Sequence, residues 1–121
     1  MNMNDNMIIG NQISGNAADN GDAATPGPTG INIHSVAKVT GTIISQNVIK
    51  NETIGIAIDL PSSDVIVRLN NIQASTGVDN LGSGPVDANL NYWGCATGPG
   101  QSGCAGVIGL VVASNPASTP F

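Results

Sequence analysis

One pair of residues in this chain has the types needed to move a proton. His34 and Asp59 each lie four residues past a glycine, Gly30 and Gly55. If those glycines mark one register of successive repeats, the two residues stack at the strand spacing, about 5 Å apart. A carboxylate beside an imidazole raises its pKa and can orient it for general-base work. No nucleophile or second acid shares that register, so two polar residues on a solvated strand end is the competing reading.

The other chemistry-bearing residues gather in Asn91-Tyr92-Trp93-Gly94-Cys95-Ala96-Thr97-Gly98-Pro99-Gly100-Gln101-Ser102-Gly103-Cys104, which holds the only Trp, the only Tyr and both cysteines. Cys95 and Cys104 are an even count in a glycine-rich stretch, without the third Cys or nearby His that a zinc site needs. A disulfide in an oxidising compartment is the expectation, and two reduced thiols the alternative. Tyr92 faces outward on strand alternation and is the candidate ligand contact. Asp19-Asn20-Gly21-Asp22 is rich in oxygen, yet Asp19 and Asp22 are only two carboxylates with no distal Glu, so an Asn-Gly turn competes with a Ca²⁺ site. Asn51-Glu52-Thr53 is a formal glycosylation sequon. No cofactor motif is present, and no cofactor is expected.

Positioning these residues requires short strands. Aromatics make up 2% and charged residues 9% of the 121 residues, so any core must be built from Ile, Val, Leu and Ala. No window carries an apolar period of 3.6 residues uninterrupted by Gly or Asn, which argues against helix. The formal charge is −5, with Lys38, Lys50 and Arg68 the only fixed cations. That balance excludes the basic footprint of a nucleic-acid binder. No apolar run approaches the ~20 residues of a spanning helix, so membrane insertion is not expected. The stretch MNMNDNMIIG is no signal peptide, although the composition looks extracellular. The chain is therefore expected to continue upstream of Met1.

The strands repeat. Apolar, two residues, Asn, one residue, apolar occurs as Ile8/Asn11/Ile13, Ile44/Asn47/Ile49, Val67/Asn70/Ile72 and Ala88/Asn91/Trp93. The asparagines are 36, 23 and 21 residues apart. A second marker follows in Gly30-Ile31-Asn32-Ile33, Gly55-Ile56-Ala57-Ile58 and Gly77-Val78-Asp79, the alternation of half-buried strands. Residues 17–29, with Pro26 and Pro28, form an inserted loop that lengthens the first spacing. Strand-bearing segments are expected at 7–16, 30–34, 39–50, 55–59, 64–73, 77–80, 86–94 and 107–113. Residues 95–104 form the disulfide loop, and the tail 114–121 is expected to leave the stack.

A coil of this length cannot bury its own apolar face, but stacked coils share one core. Asn11, Asn47, Asn70 and Asn91 then form an inward ladder, each amide donating to one neighbouring coil and accepting from the other. Trp93 falls in the register of Ile13, Ile49 and Ile72 and should plug the apolar stack.

The repeat, closed by Val86–Gly100 (VDANLNYWGCATGPG), resembles the right-handed parallel β-helix proteins of the pectate-lyase-like superfamily. It is most similar to the C-terminal part of secreted β-helix repeat proteins ending in an N-[WY]-W-G…G-P motif. The resemblance implies an all-β fold, a right-handed parallel β-helix (solenoid) of about four to five short coils with a C-terminal closure. It further implies a non-catalytic structural or adhesive segment of a secreted or cell-surface bacterial protein, with a polysaccharide or cell-surface glycan as partner. The alternative is the scaffold of a polysaccharide lyase or hydrolase whose catalytic coils lie upstream. Lyases of the superfamily place a basic residue beside an acidic Ca²⁺ site. Here Arg68 has Ser45 and Asn89 at its register, not carboxylates. Stacking also leaves Ile8, Ile13 and one sheet edge of the first coil open, a route to self-association.

Overall fold

A computed structural model describes residues 3–17, 28–34, 39–59, 62–82 and 84–121. All regular elements among them are β-strands, and every strand pairing is parallel. The chain runs β1 (Met3–Asn4), β2 (Met7–Ile9), β3 (Gln12–Ser14), β4 (Thr29–His34), β5 (Val39–Thr40), β6 (Ile43–Ser45) and β7 (Val48–Asp59). It continues through β8 (Ser62–Ser63), β9 (Val65–Arg68), β10 (Asn71–Asn80), β11 (Val86–Asp87), β12 (Gly106–Ile108) and β13 (Val111–Val112). Three sheets result: β1-β5-β8, then β2-β6-β9-β11-β13, and then β12-β10-β7 with both β3 and β4 on β7. Through β10 the chain visits the three sheets in turn, while β11, β12 and β13 add only to the second and third, and each pass lays its strands on those of the pass before.

Left-handed backbone makes the corners between sheets. Asp5, Gly41 and Asp64 turn the chain from the first sheet to the second. Gly10, Gln46, Leu69 and Leu90 turn it to the third, each with φ between 58° and 75° and each directly before a repeat asparagine. For non-glycine residues that conformation costs roughly 1–2 kcal/mol apiece. The asparagines hold it in place. Asn47 Oδ1 accepts from Asn11 N at 2.9 Å and Asn11 Nδ2 at 3.1 Å. Asn70 Oδ1 accepts from Asn47 N at 2.9 Å and Nδ2 at 3.0 Å. Asn91 Oδ1 does the same for Asn70, at 3.1 and 2.9 Å. Each later Nδ2 also donates back to a carbonyl of the preceding pass: Asn47 to Ile8, Asn70 to Ile44, Asn91 to Val67. Asn47, Asn70 and Asn91 are buried; Asn11, on the first pass, is exposed.

The inward columns are Ile8-Ile44-Val67-Ala88 on one sheet and Ile13-Ile49-Ile72-Trp93 on another, all part of a single apolar cluster. Along the stack the first column shrinks as the second grows, so the last pass offsets its Trp with an Ala. Constant volume is what a close-packed interior requires. Opposite lies a column of Gly30, Gly55 and Gly77. A Cβ on Gly30 would stand 2.8 Å from the Gly55 carbonyl oxygen, and one on Gly55 2.7 Å from that of Gly77.

Several element boundaries differ from the sequence expectation. The segments 39–50 and 55–59 are divided elsewhere: the corner falls at Gln46-Asn47, and β7 runs unbroken from Val48 to Asp59. Its pairing with β10 skips one residue, Asn51, whose φ of 59° makes a bulge where a strand break was expected. The stretch 107–113 is two strands, because Gly109 at φ 84° turns the chain between sheets. The tail stays on the stack. Leu90 N donates to Asn115 O, Ala117 N to Asn91 O, and Phe121 N to Asn71 Oδ1. Phe121 itself is 60% exposed.

The ladder yields a graded prediction. Asn70→Ala strands the buried donors of Asn47 and should cost about 3 kcal/mol or more. Asn11→Ala, at the exposed end, should cost about 1 kcal/mol or less. Denaturant unfolding of both variants measures the difference; equal losses would contradict a buried column.

Candidate functional site

A closed surface loop follows Trp93, the last member of its inward column. Tyr92 N donates to Asn70 O, and Ile72 N to Tyr92 O, so the parallel pattern persists through Tyr92. Gly94, at φ 80°, then releases the chain into the loop 95–104, and Ala105 N returns to Trp93 O at 2.8 Å. The loop is closed by the Cys95–Cys104 disulfide, with the two Cα atoms 5.3 Å apart. Gly100 N donates to Ala105 O, and Gly98 lies against the Pro116 ring. Trp93 is fully buried beneath. A Cβ on Gly77 would stand 2.7 Å from Trp93 Cζ3, so the indole fits only because position 77 is glycine.

Beside this closure opens a cleft of about 460 Å³, lined among others by Asn51, Glu52, Gln73, Ser75, Trp93 and Cys104. Glu52 is only 6% exposed. It sits directly after the Asn51 bulge, and its backbone partner on the next pass is Ala74. The carboxylate oxygen Oε1 accepts from Asn16 N at 3.2 Å and Asn16 Nδ2 at 2.7 Å. The second oxygen, Oε2, is buried and bonds to none of the described residues; the same is true of Trp93 Nε1.

The residues singled out in the sequence are dispersed. His34 and Asp59 are backbone partners across β4 and β7. Tyr92 is half-buried and lines none of the cleft. Asp19 and Asp22 lie outside the described residues. Arg68 is exposed, and its backbone partner is Ser45. Among the described residues no three His, Cys, Asp or Glu side chains group to hold a metal ion. Among the described residues there is no helix long and apolar enough to cross a membrane.

Sequence reasoning passed over Glu52, which it met only as the middle of a sequon. The available signal was a carboxylate between Ile49 and Ile54 in a core-lining strand. It also passed over Asn80, buried at the end of β10. Asn80 Nδ2 donates to Gly84 O and Leu110 O, and its Oδ1 accepts from Gly82 N, so it holds the corner into β11. Next to it, Asp79 has a buried Oδ1 that bonds to none of the described residues, and burial raises its pKa above the ordinary 3.8. No family model, curated protein or solved structure matches the chain.

Two variants test these environments. A raised pKa means that the folded state holds its Asp79 proton to higher pH than the unfolded chain does. Stability contributed at this site is therefore lost as pH rises from 3.8 through the folded value. Asp79→Asn should raise the thermal midpoint at neutral pH, with the gain vanishing below about pH 3.8; a gain independent of pH would contradict the desolvated carboxylate. Gly77→Ala should cost about 1–3 kcal/mol by overpacking and shift the Trp93 emission, read by fluorescence-detected unfolding.

Proposed function

We propose that the chain is a right-handed parallel β-helix segment, similar to the pectate-lyase-like repeat proteins, serving a structural and adhesive role in a secreted or cell-surface bacterial protein. The observation that carries this reading is the hydrogen-bonded column Asn11-Asn47-Asn70-Asn91, joining successive passes through three parallel sheets. Such a stack is stiff along its axis because every pass is bonded to both neighbours. The disulfide is compatible with an oxidising, extracellular setting. A glycan is the partner this reading favours. The second reading, the scaffold of a polysaccharide lyase or hydrolase, draws on the His34–Asp59 register alone.

Incubating the chain with insoluble polysaccharides and with intact bacterial cells separates the two. Retention without new reducing ends or unsaturated uronide is the expected result, and product release by the purified chain would sink the non-catalytic reading. We propose further that copies of this chain associate through its first described pass, where Ile8 and Ile13 are only half-buried and Met7 and Ile9 beside them are 65% and 40% exposed. Light scattering after size exclusion should show mass rising with concentration, an effect removed by Met7→Lys with Ile9→Lys. A monomer that resists concentration would refute the association.

A further inference from the structure

We infer that Asn71 and the groove beside it form a peptide-docking site, held in a single copy by the chain's own 118–121 segment and open to the same segment of a second copy. Asn71 stands in the outward column Gln12-Val48-Asn71-Tyr92 of the third sheet. Its amide holds one residue of the tail at two points. Oδ1 accepts from Phe121 N at 2.7 Å, and Nδ2 donates to Phe121 O at 2.9 Å. This imitates the pair of bonds that two residues exchange across antiparallel strands. Both bonds go to main-chain atoms, so the clamp accepts any residue, and the ring must supply the selectivity. Phe121 forms one wall of a cavity of about 370 Å³ whose other walls are Gln46, Asn47, Val48, Leu69 and Asn71. None of those side chains is charged. The site is therefore matched to an extended segment that carries an aromatic residue.

The chain's own arm fills this site incompletely. Ala117 N bonds Asn91 O just as Tyr92 N bonds Asn70 O, which puts Ala117 one pass beyond Tyr92. Phe121 must then reach back two strand spacings, about 10 Å, to meet Asn71. Its four residues span at most about 14 Å when fully extended. Little slack is left for the ring to sink. Phe121 is 60% exposed although an apolar groove lies beside it. Ser118, Thr119 and Pro120, which join it to the stack, are exposed as well. An arm from a second copy is free of that tether and keeps both bonds to Asn71. Exchange of identical elements between copies is a low-cost route to association. This contact lies on the third sheet and is independent of the first-pass association proposed above.

Two full-length variants, each lacking one half of the contact, test the exchange. Phe121→Ala keeps the clamp without the ring, and Asn71→Ala keeps the arm without the clamp. Both also carry Met7→Lys with Ile9→Lys, so the first pass takes no part. The side-chain amide resonance of Asn71 is followed in isotope-labelled Phe121→Ala protein while unlabelled Asn71→Ala protein is added. It should shift saturably. The shift should need at least about tenfold more partner when the labelled protein keeps Phe121, because its own arm competes at a roughly millimolar effective concentration. A synthetic peptide of residues 117–121 should reproduce the shift, whichever variant folds poorly, and the same peptide ending in Ala should not. An Asn71 resonance that neither the folded Asn71→Ala protein nor the peptide moves overturns the inference. So does equal affinity with and without Phe121 in the labelled protein, or equal affinity for the two peptides.

Discussion

The side-chain oxygens of Asn47, Asn70 and Asn91 each accept two hydrogen bonds from the asparagine of the preceding pass, one from its backbone and one from its amide. The rest of the architecture depends on that clamp. The residue just before each asparagine occupies left-handed backbone, and at Gln46, Leu69 and Leu90 it is not a glycine. Sharp corners of this kind are intrinsically unfavourable, and here they are fixed from one side by a bond to the next pass. Because the clamp sets the axial spacing at one corner, the three sheets inherit a common register, and apolar residues fall above apolar residues without further instruction.

Packing then follows a rule of compensation. The passes do not carry identical cores: Ile44 with Ile49 gives way to Val67 with Ile72, and finally to Ala88 with Trp93. Volume moves from one wall to the other while the cross-section holds. The glycine column makes the opposing wall thin enough to receive Ile49, Ile72 and, last, the indole. The disulfide loop and the returning tail cover what the indole leaves. The unsatisfied Nε1 of Trp93 arises where the repeat gives way to the disulfide loop, whereas Glu52 lies on a middle pass with its carboxylate turned back to Asn16.

The columns were legible in the sequence because each demands one residue type at a repeated interval. Asn11, Asn47, Asn70, Asn91, the isoleucines two residues later and the glycines of the second marker could be aligned without coordinates. Features that break the repeat were not legible. The bulge at Asn51, the split of 107–113 at Gly109 and the course of the tail depend on what the neighbouring pass offers, which no local pattern encodes. Glu52 escaped for a related reason. Its residue type says charged and exposed, whereas its burial and its half-satisfied carboxylate come from Asn16, 36 residues earlier.

The glycine column also sets the grammar by which such a chain can lengthen. A pass inserted between Gly55 and Gly77 meets a carbonyl on one side and presents one on the other, so it must itself carry glycine there. It must likewise bring an asparagine at the clamp and an aliphatic residue two positions on. The spacings of 23 and 21 residues differ, so loop length is free while these three letters are not. Growth therefore proceeds by whole turns, duplicated or deleted as units.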